Sequence, residues 1–302
     1  MAALLLSPTF LVLLLVIVYP IISAVQQSLY SSSAGLDQDG FVVEGSRFVG
    51  LANYTSLFEG DAGARFINAL GNTVMFTVVS VVLETLLGLA LALSMNRAFR
   101  GRAFLRASIL VPWAVPTAVS GLLWRWIFQS QGIANSLLGT EILWTSEGMA
   151  AQAAVIMAEV WKTAPFIGLL TLAGMQIIPA EVYEAARIDG ASRWKQLTNI
   201  TLPLVKPALL VAVLFRILDS LRMFDLPFVL IGPGKRSVET LSMLAWDEAN
   251  QLRYGSASAY SVVLFLFVAL VAFTFVKILG ADVIGSDEQS DKPQRTPRKA
   301  RR

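Results

Sequence analysis

Eight ionisable side chains fall inside long apolar runs of this 302-residue sequence: Glu84, Arg125, Glu159, Lys162, Arg216, Asp219, Arg222 and Asp225. Four are acidic and four basic, so the set is neutral. Glu159 and Lys162 stand three residues apart, and Arg216, Asp219, Arg222 and Asp225 alternate in sign at the same spacing. Three residues is close to one helical turn, so each set is expected to form an ion-pair ladder on one helix face. A charge alone in hydrocarbon is costly, so these groups must face protein or water and pair. Two roles fit them. They can line a path and exchange hydrogen bonds with a polar solute, or they can pair with one another to fix packing. Asp219 and Arg222 favour the first role and Glu84 the second. The sequence has neither histidine nor cysteine. That excludes thiol nucleophiles, disulfides, His/Cys zinc sites and histidine-based triads.

The elements that hold these charges are membrane helices. Hydrophobic residues make up 55% of the chain and charged residues only 15%, against roughly 25% charged in a soluble domain. A crossing needs ~20 mostly apolar residues at 1.5 Å each. Six runs qualify: 2–25, 73–95, 107–128, 149–172, 208–231 and 257–279. The expected fold is therefore an all-α membrane protein with six transmembrane helices. Counted from residue 208, the ladder from Arg216 to Asp225 should rise from about 12 to about 26 Å above the cytoplasmic edge. Pro112 and Pro116 should kink the third span. The first run could also be a cleaved signal peptide, but it is long for one and lacks a basic lead, so a retained helix is expected.

Loop charges orient the spans. The loops 96–106 and 173–207, with the C-terminal tail and counting Lys277 at the end of the last span, hold 15 Lys/Arg against seven Asp/Glu, a net of +8. The loops 26–72, 129–148 and 232–256 hold five against ten, a net of −5. The positive-inside rule puts the first set, and both termini, in the cytoplasm. The chain divides into a first helix and outer loop (1–72), a five-helix core (73–279) and a basic cytoplasmic tail (280–302). That tail is expected to be disordered and to lie near membrane lipid, with no role in nucleic-acid binding.

The cytoplasmic loop 173–207 is too patterned for a linker. Pro179 opens a helix, and Glu181 and Glu184 place acids near its positive end. Gly190 allows the turn that stops it. Ser192 caps a second helix carrying Trp194, Leu197 and Ile200, and Pro203 and Pro207 are expected to break the chain before it returns to the bilayer. A helix–turn–helix with a small apolar face can seat in a partner's groove, or lie as an amphipathic hairpin on lipid.

Glu184-Ala185-Ala186, then three residues, Gly190, nine more residues, and Ile200-x-Leu202-Pro203 resemble the EAA signature of ABC importer permeases. Phe48-Val49-Gly50-Leu51-Ala52-Asn53-Tyr54 is similar to the FxGLxNY segment of carbohydrate permeases, and Leu110–Pro116 to their proline-containing third span. Together these resemble the maltose-type permease subunit of a trehalose/maltose importer. The sequence departs from the maltose-type pattern in having no extra helix before the first span and a short outer loop. The resemblance implies a type I importer permease fold and import by alternating access. It implies a second permease subunit, two ATPase subunits that hold the ATP and Mg, and an extracytoplasmic sugar-binding protein. The chain itself would hold no cofactor or metal and have no catalytic site. Glu181, Glu184, Ala185, Ala186, Asp189 and Gly190 would form the coupling helix seated in the ATPase. Glu159, Lys162, Arg216, Asp219, Arg222, Phe224 and Asp225 would line the substrate path.

Sugar binding also calls for flat apolar faces against pyranose C–H groups. Trp124, Trp126, Trp161 and Phe224 flank the charges, although Trp124 and Trp126 also suit an interfacial belt. Trp144 and Trp246, in outer loops, could meet a binding protein or simply pack. No GxxxxGK[ST] nucleotide loop occurs, Gly232–Ser237 reads as an outer turn, and Asp37-Gln-Asp39 reads as a solvated loop. The rival functions are a stand-alone secondary carrier driven by protonation of Glu84 or Asp219, and a membrane-embedded glycosyl or lipid transferase.

Overall fold

The computed structural model describes residues 2–36 and 42–280. The predicted tail 280–302 therefore lies almost wholly outside the described residues, as does Asp37-Gln-Asp39. Fourteen α-helices and one hairpin follow in order among the described residues. They are α1 (Ala2–Leu13), α2 (Tyr19–Ser28), β1 (Tyr30–Leu36), β2 (Val42–Phe48), α3 (Ala52–Ser56) and α4 (Gly60–Asn96), then α5 (Arg102–Ala114), α6 (Thr117–Ile127), α7 (Ile133–Leu138), α8 (Met149–Gln176) and α9 (Ala180–Ile188). The last five are α10 (Arg193–Gln196), α11 (Leu202–Ser220), α12 (Asp225–Leu230), α13 (Leu241–Asn250) and α14 (Tyr254–Phe275). A π-helical turn, Leu14–Val18, joins α1 to α2, so the first predicted span is a continuous helix.

Among the described residues, five helical stretches are long and apolar enough to cross a membrane: Leu6–Ser28, Gly60–Asn96, Met149–Gln176, Arg193–Ser220 and Tyr254–Ile278. The remaining predicted span, the third in chain order (107–128), is α5 and α6 meeting at a 95° bend. Pro116 has no N–H and drives the preceding residue out of the helical region. Val115 is accordingly extended (φ −72°, ψ 132°), and α6 starts afresh with Pro116 as its N-cap. The break expected at Pro203 and Pro207 is absent. A π turn, Leu197–Thr201, carries α10 into α11, and Pro203 sits in the first turn of α11, where a missing donor costs little. The helix thus runs unbroken from Arg193 to Ser220.

The core is a three-helix contact of α4, α8 and α11, with α5 against α8 and α6 against α12. α4 and α8 come close where they cross. A Cβ on Gly88 would lie 2.8 Å from Ile167 and 3.0 Å from the Ala164 carbonyl, and one on Gly168 would lie 3.1 Å from the Gly88 carbonyl. The first span packs on α14 and hardly elsewhere. Many of its apolar side chains, such as Phe10 and Val16, are exposed, as an environment of lipid or a partner requires.

At one end of the bundle the antiparallel hairpin pairs Tyr30 with Phe48 and Leu36 with Val42. The FxGLxNY segment clasps it to the first span. Asn53 Nδ2 donates to the Ser28 and Tyr30 carbonyls at 2.8 and 2.9 Å, and the Tyr54 hydroxyl meets Ser28 Oγ at 2.6 Å. α4 continues well past its apolar run into this region. Arg65 there donates to both Glu239 oxygens, at 2.9 and 2.5 Å, and to Asp247 at 2.7 Å. Asn72 donates to the Arg236 and Glu239 carbonyls. The segment from Ile231 to Arg253 is tied down by these bonds. Its last residue, Arg253, is raised above the ordinary guanidinium pKa by its bonds to Glu248, against partial desolvation.

Candidate functional site

Two sites emerge, one inside the helix bundle and one at its end. In the first, Arg216 on α11 is a hub. Its Nε donates to Glu84 Oε2 on α4 at 2.7 Å, and Nη2 donates to Glu159 Oε1 on α8 at 2.6 Å and to Glu84 Oε1 at 3.2 Å. Nη1 donates to Asp219 Oδ2, one turn on, at 2.5 Å. Thr163 Oγ1 completes the Glu84 shell at 2.7 Å. The planar guanidinium fork suits this, because one cation must satisfy carboxylates in three directions. Three core helices are thereby joined at one buried point.

This arrangement corrects three expectations. Glu159 does not pair with Lys162; it pairs with Arg216, whose fork reaches it from the neighbouring helix. Lys162 is buried along its stem and makes no hydrogen bond or ion pair among the described residues. The four-residue ladder is also cut. α11 ends at Ser220, where the Arg222 and Met223 N–H groups turn to the carbonyls three residues back, of Asp219 and Ser220, and the Met223 carbonyl accepts from Thr240 Oγ1 at 2.8 Å. Asp225 therefore begins a separate helix, α12, and forms no ion pair with Arg222 among the described residues. Only the first rung is tight: the Arg222–Asp219 separation is 3.9 Å.

The remaining members face open space. The side chains of Asp219 and Arg222 are 64% and 62% exposed, whereas that of Arg216 is 4% exposed. Asp219 and Arg222 stand between two cavities. The larger, about 630 Å³, is walled by Trp113, Phe166, Phe215 and Phe265 and reaches Arg216. The smaller, about 110 Å³, is lined by Glu159, Lys162, Asp219, Arg222, Phe224 and Asp225. Carboxylates, an ammonium, a guanidinium and aromatic faces thus share one region. Trp113, Phe166 and Phe215 were not singled out from the sequence, because any aromatic in a span is equally compatible with lipid contact.

The tryptophans divide. Trp126 is exposed, as a belt residue would be, but Trp124 packs against Trp161 and Phe128, at 5.6 and 5.1 Å between ring centroids. Trp144 donates to Asn135 Oδ1 at 2.8 Å and packs on Phe128, while Trp246 packs on Phe224 and Phe228.

The second site is the α8–α11 connection. α9 begins after Pro179, as expected, and none of its residues is buried. Its end is a Schellman motif. Gly190 adopts φ +74°, its N–H donates to the Arg187 carbonyl, and Ala191 N–H donates to the Ala186 carbonyl. Ser192 Oγ caps the next helix by accepting from Lys195 N. The Tyr183 hydroxyl meets Thr201 Oγ1 at 3.1 Å and braces the short helix against the long one. Glu181, Glu184, Ala185, Asp189 and Gly190 are exposed and Ala186 is half-buried, so all six form one knob at the end of two membrane-length helices.

The family described as "Binding-protein-dependent transport system inner membrane component" matches residues 84–284. The chain is 40% identical over 281 residues to the trehalose/maltose transport system permease protein MalF of Thermococcus litoralis, covering 91% of this chain and 92% of that one. It is 36% identical over 289 residues to the trehalose transport system permease protein SugA of Mycobacterium tuberculosis, covering 95% and 91%. It is 37% identical over 286 residues to the sulfoquinovosyl glycerol transport system permease protein SmoG of Agrobacterium fabrum, covering 92% and 90%. A solved bacterial ABC transporter involved in import of the acidic polysaccharide alginate superposes with a TM-score of 0.75, covering 92% of this chain and 95% of that one. At 22% identity, that likeness is one of fold.

Proposed function

Since this chain belongs to the family of binding-protein-dependent transport system inner membrane components, we propose that it carries a disaccharide of the trehalose or maltose class across the membrane by alternating access. The observation that carries this reading is α9, a helix with no buried residue, closed by Gly190 in a left-handed turn, projecting beyond two membrane-length helices. A short helix so exposed is stable only if something covers it or if its neighbours hold it. It is shaped to be gripped.

In this reading two ATPase subunits grip the knob, one on this chain and one on a second permease subunit. They hold the ATP and Mg, and this chain has no catalytic site and no cofactor. Both termini and the α9 knob are cytoplasmic, following the +8 and −5 loop charges. An extracytoplasmic sugar-binding protein delivers the solute to the opposite face, where Arg65 and Arg253 hold the outer segment. Within the bundle, Asp219 and Arg222 exchange hydrogen bonds with sugar hydroxyls, and the aromatic wall of the larger cavity receives the pyranose C–H faces. Glu159, Lys162, Phe224 and Asp225 line the adjoining polar cavity. Arg216 ties the three core helices together through Glu84 and Glu159 and holds Asp219 in place. Two of the relatives are trehalose transport permeases by name, and they support the sugar class.

The test is uptake in proteoliposomes. Labelled trehalose should enter only with ATP, the ATPase subunits and the binding protein present, and competition between trehalose and maltose ranks the two. Uptake by this chain alone under a proton gradient would overturn the proposal in favour of a secondary carrier.

A further inference from the structure

At the α9 end of the bundle a separate cavity of about 370 Å³ is lined by Leu93, Asn96, Arg97, Tyr183, Arg193 and Trp194, among others. Arg97 follows the last residue of α4, and Arg193 opens α10. Neither guanidinium makes a hydrogen bond or ion pair among the described residues. Nearby arginines are engaged: Arg106 donates to the Met95 carbonyl and Arg187 to the Tyr183 carbonyl. Two arginines from distant parts of the chain thus line one cavity with their donor forks unused and no carboxylate lining it.

Like charges brought together without a counter-ion repel, so the cavity calls for an anion. A guanidinium presents paired N–H donors that match phosphate oxygens. The other lining groups indicate where the anion comes from. Leu93 and Leu197 give the cavity an apolar side, and Trp194, 71% exposed, is an indole at the junction of a membrane span with water. Basic pockets between membrane helices on the cytoplasmic side accept anionic headgroups. We propose that this cavity holds the phosphodiester headgroup of an anionic phospholipid, between the end of α4 and the α9–α10 turn. The site rests on the cytoplasmic orientation proposed above. Because Tyr183 lies on α9 and lines the cavity, a bound headgroup also props the knob at its inner side.

The test uses the full chain in its assembled complex, reconstituted in nanodiscs of phosphatidylcholine with or without phosphatidylglycerol, then extracted and assayed for retained lipid by native mass spectrometry. The parent complex should retain phosphatidylglycerol, and R97A/R193A should retain roughly tenfold less. R100A/R102A removes the same charge outside the cavity and should retain nearly as much as the parent. Equal losses from both double variants would mean diffuse attraction and overturn the site. Unchanged retention in R97A/R193A would also overturn it. Loss of ATPase binding with lipid retention unchanged would assign the two arginines to protein contact instead. Displacement of the retained lipid by millimolar inorganic phosphate would identify a free-phosphate site rather than a lipid one. Failure of sugar transport in proteoliposomes, with lipid retention as expected, would count against the transport proposal and leave this one standing.

Discussion

Replacing Arg216 tests whether the α4–α8–α11 core depends on its central ion cluster. In R216M the methionine fills much of the same volume, but Glu84 (0% exposed) and Glu159 (6% exposed) lose their only guanidinium partner. Removing one partner of a buried ion pair costs about 3–5 kcal/mol, because a charge is left behind without compensation. At roughly 2–4 °C per kcal/mol for a chain of this size class, the melting temperature should fall by on the order of 10 °C. Lysine should not rescue it, since one ammonium cannot reach carboxylates in three directions as the fork does. The triple variant E84Q/E159Q/R216M should recover most of the loss, because Glu84 and Glu159 are then no longer buried carboxylates without their cation, and Thr163 keeps an oxygen to donate to. The assay is thermal unfolding in nanodiscs followed by tryptophan fluorescence. If R216M melts within about 2 °C of the parent, or the triple variant melts below R216M, the cluster is not what holds these helices together.

Four further outcomes follow from the same geometry. G88V should destabilise the chain by about 1–3 kcal/mol, seen in the same melt, because its Cβ would meet Ile167 and the Ala164 carbonyl at 3.0 Å or less. G190W should abolish co-purification of the ATPase subunits while membrane insertion, scored by protease accessibility of the loops, is unchanged; the site is open, but φ +74° penalises any side chain. D219A should lower sugar uptake while leaving complex assembly intact, and loss of assembly would assign Asp219 to packing. R65A leaves the buried Glu239 without its bidentate partner, and should increase proteolysis of the outer segment 232–253 with little effect on ATPase binding.

The membrane-length helices and the α9 knob with its Gly190 turn and Ser192 cap were legible in the amino-acid order. Each depends on interactions within about one or two helical turns: apolar runs, a capping hydroxyl, a glycine that can adopt positive φ. The bend in the third span was foreshadowed by Pro112 and Pro116, although not its 95° angle. Where the local pattern misled, a distant group had intervened. The Glu159–Lys162 and Arg222–Asp225 pairs obey helical spacing, yet Glu159 is taken by Arg216, 57 residues away. α11 stops short of Asp225 in a tight turn at Ser220, and the Met223 carbonyl beyond it is taken by Thr240, 17 residues away. The clasp between Arg65 and Glu239 spans 174 residues and left no mark in either neighbourhood.

What the sequence determined alone was therefore where the helices run, which way the loops are charged, and the shape of the α9–α10 turn, since hydrophobic length, charge bias and capping are local or additive properties. Which of eight intramembrane charges are buried in a cluster, and which stand open beside an aromatic-walled cavity, was decided only by tertiary structure. Pairing in a low-dielectric interior goes to whichever partner the packing of separate helices brings within hydrogen-bonding distance, and sequence spacing does not encode that distance.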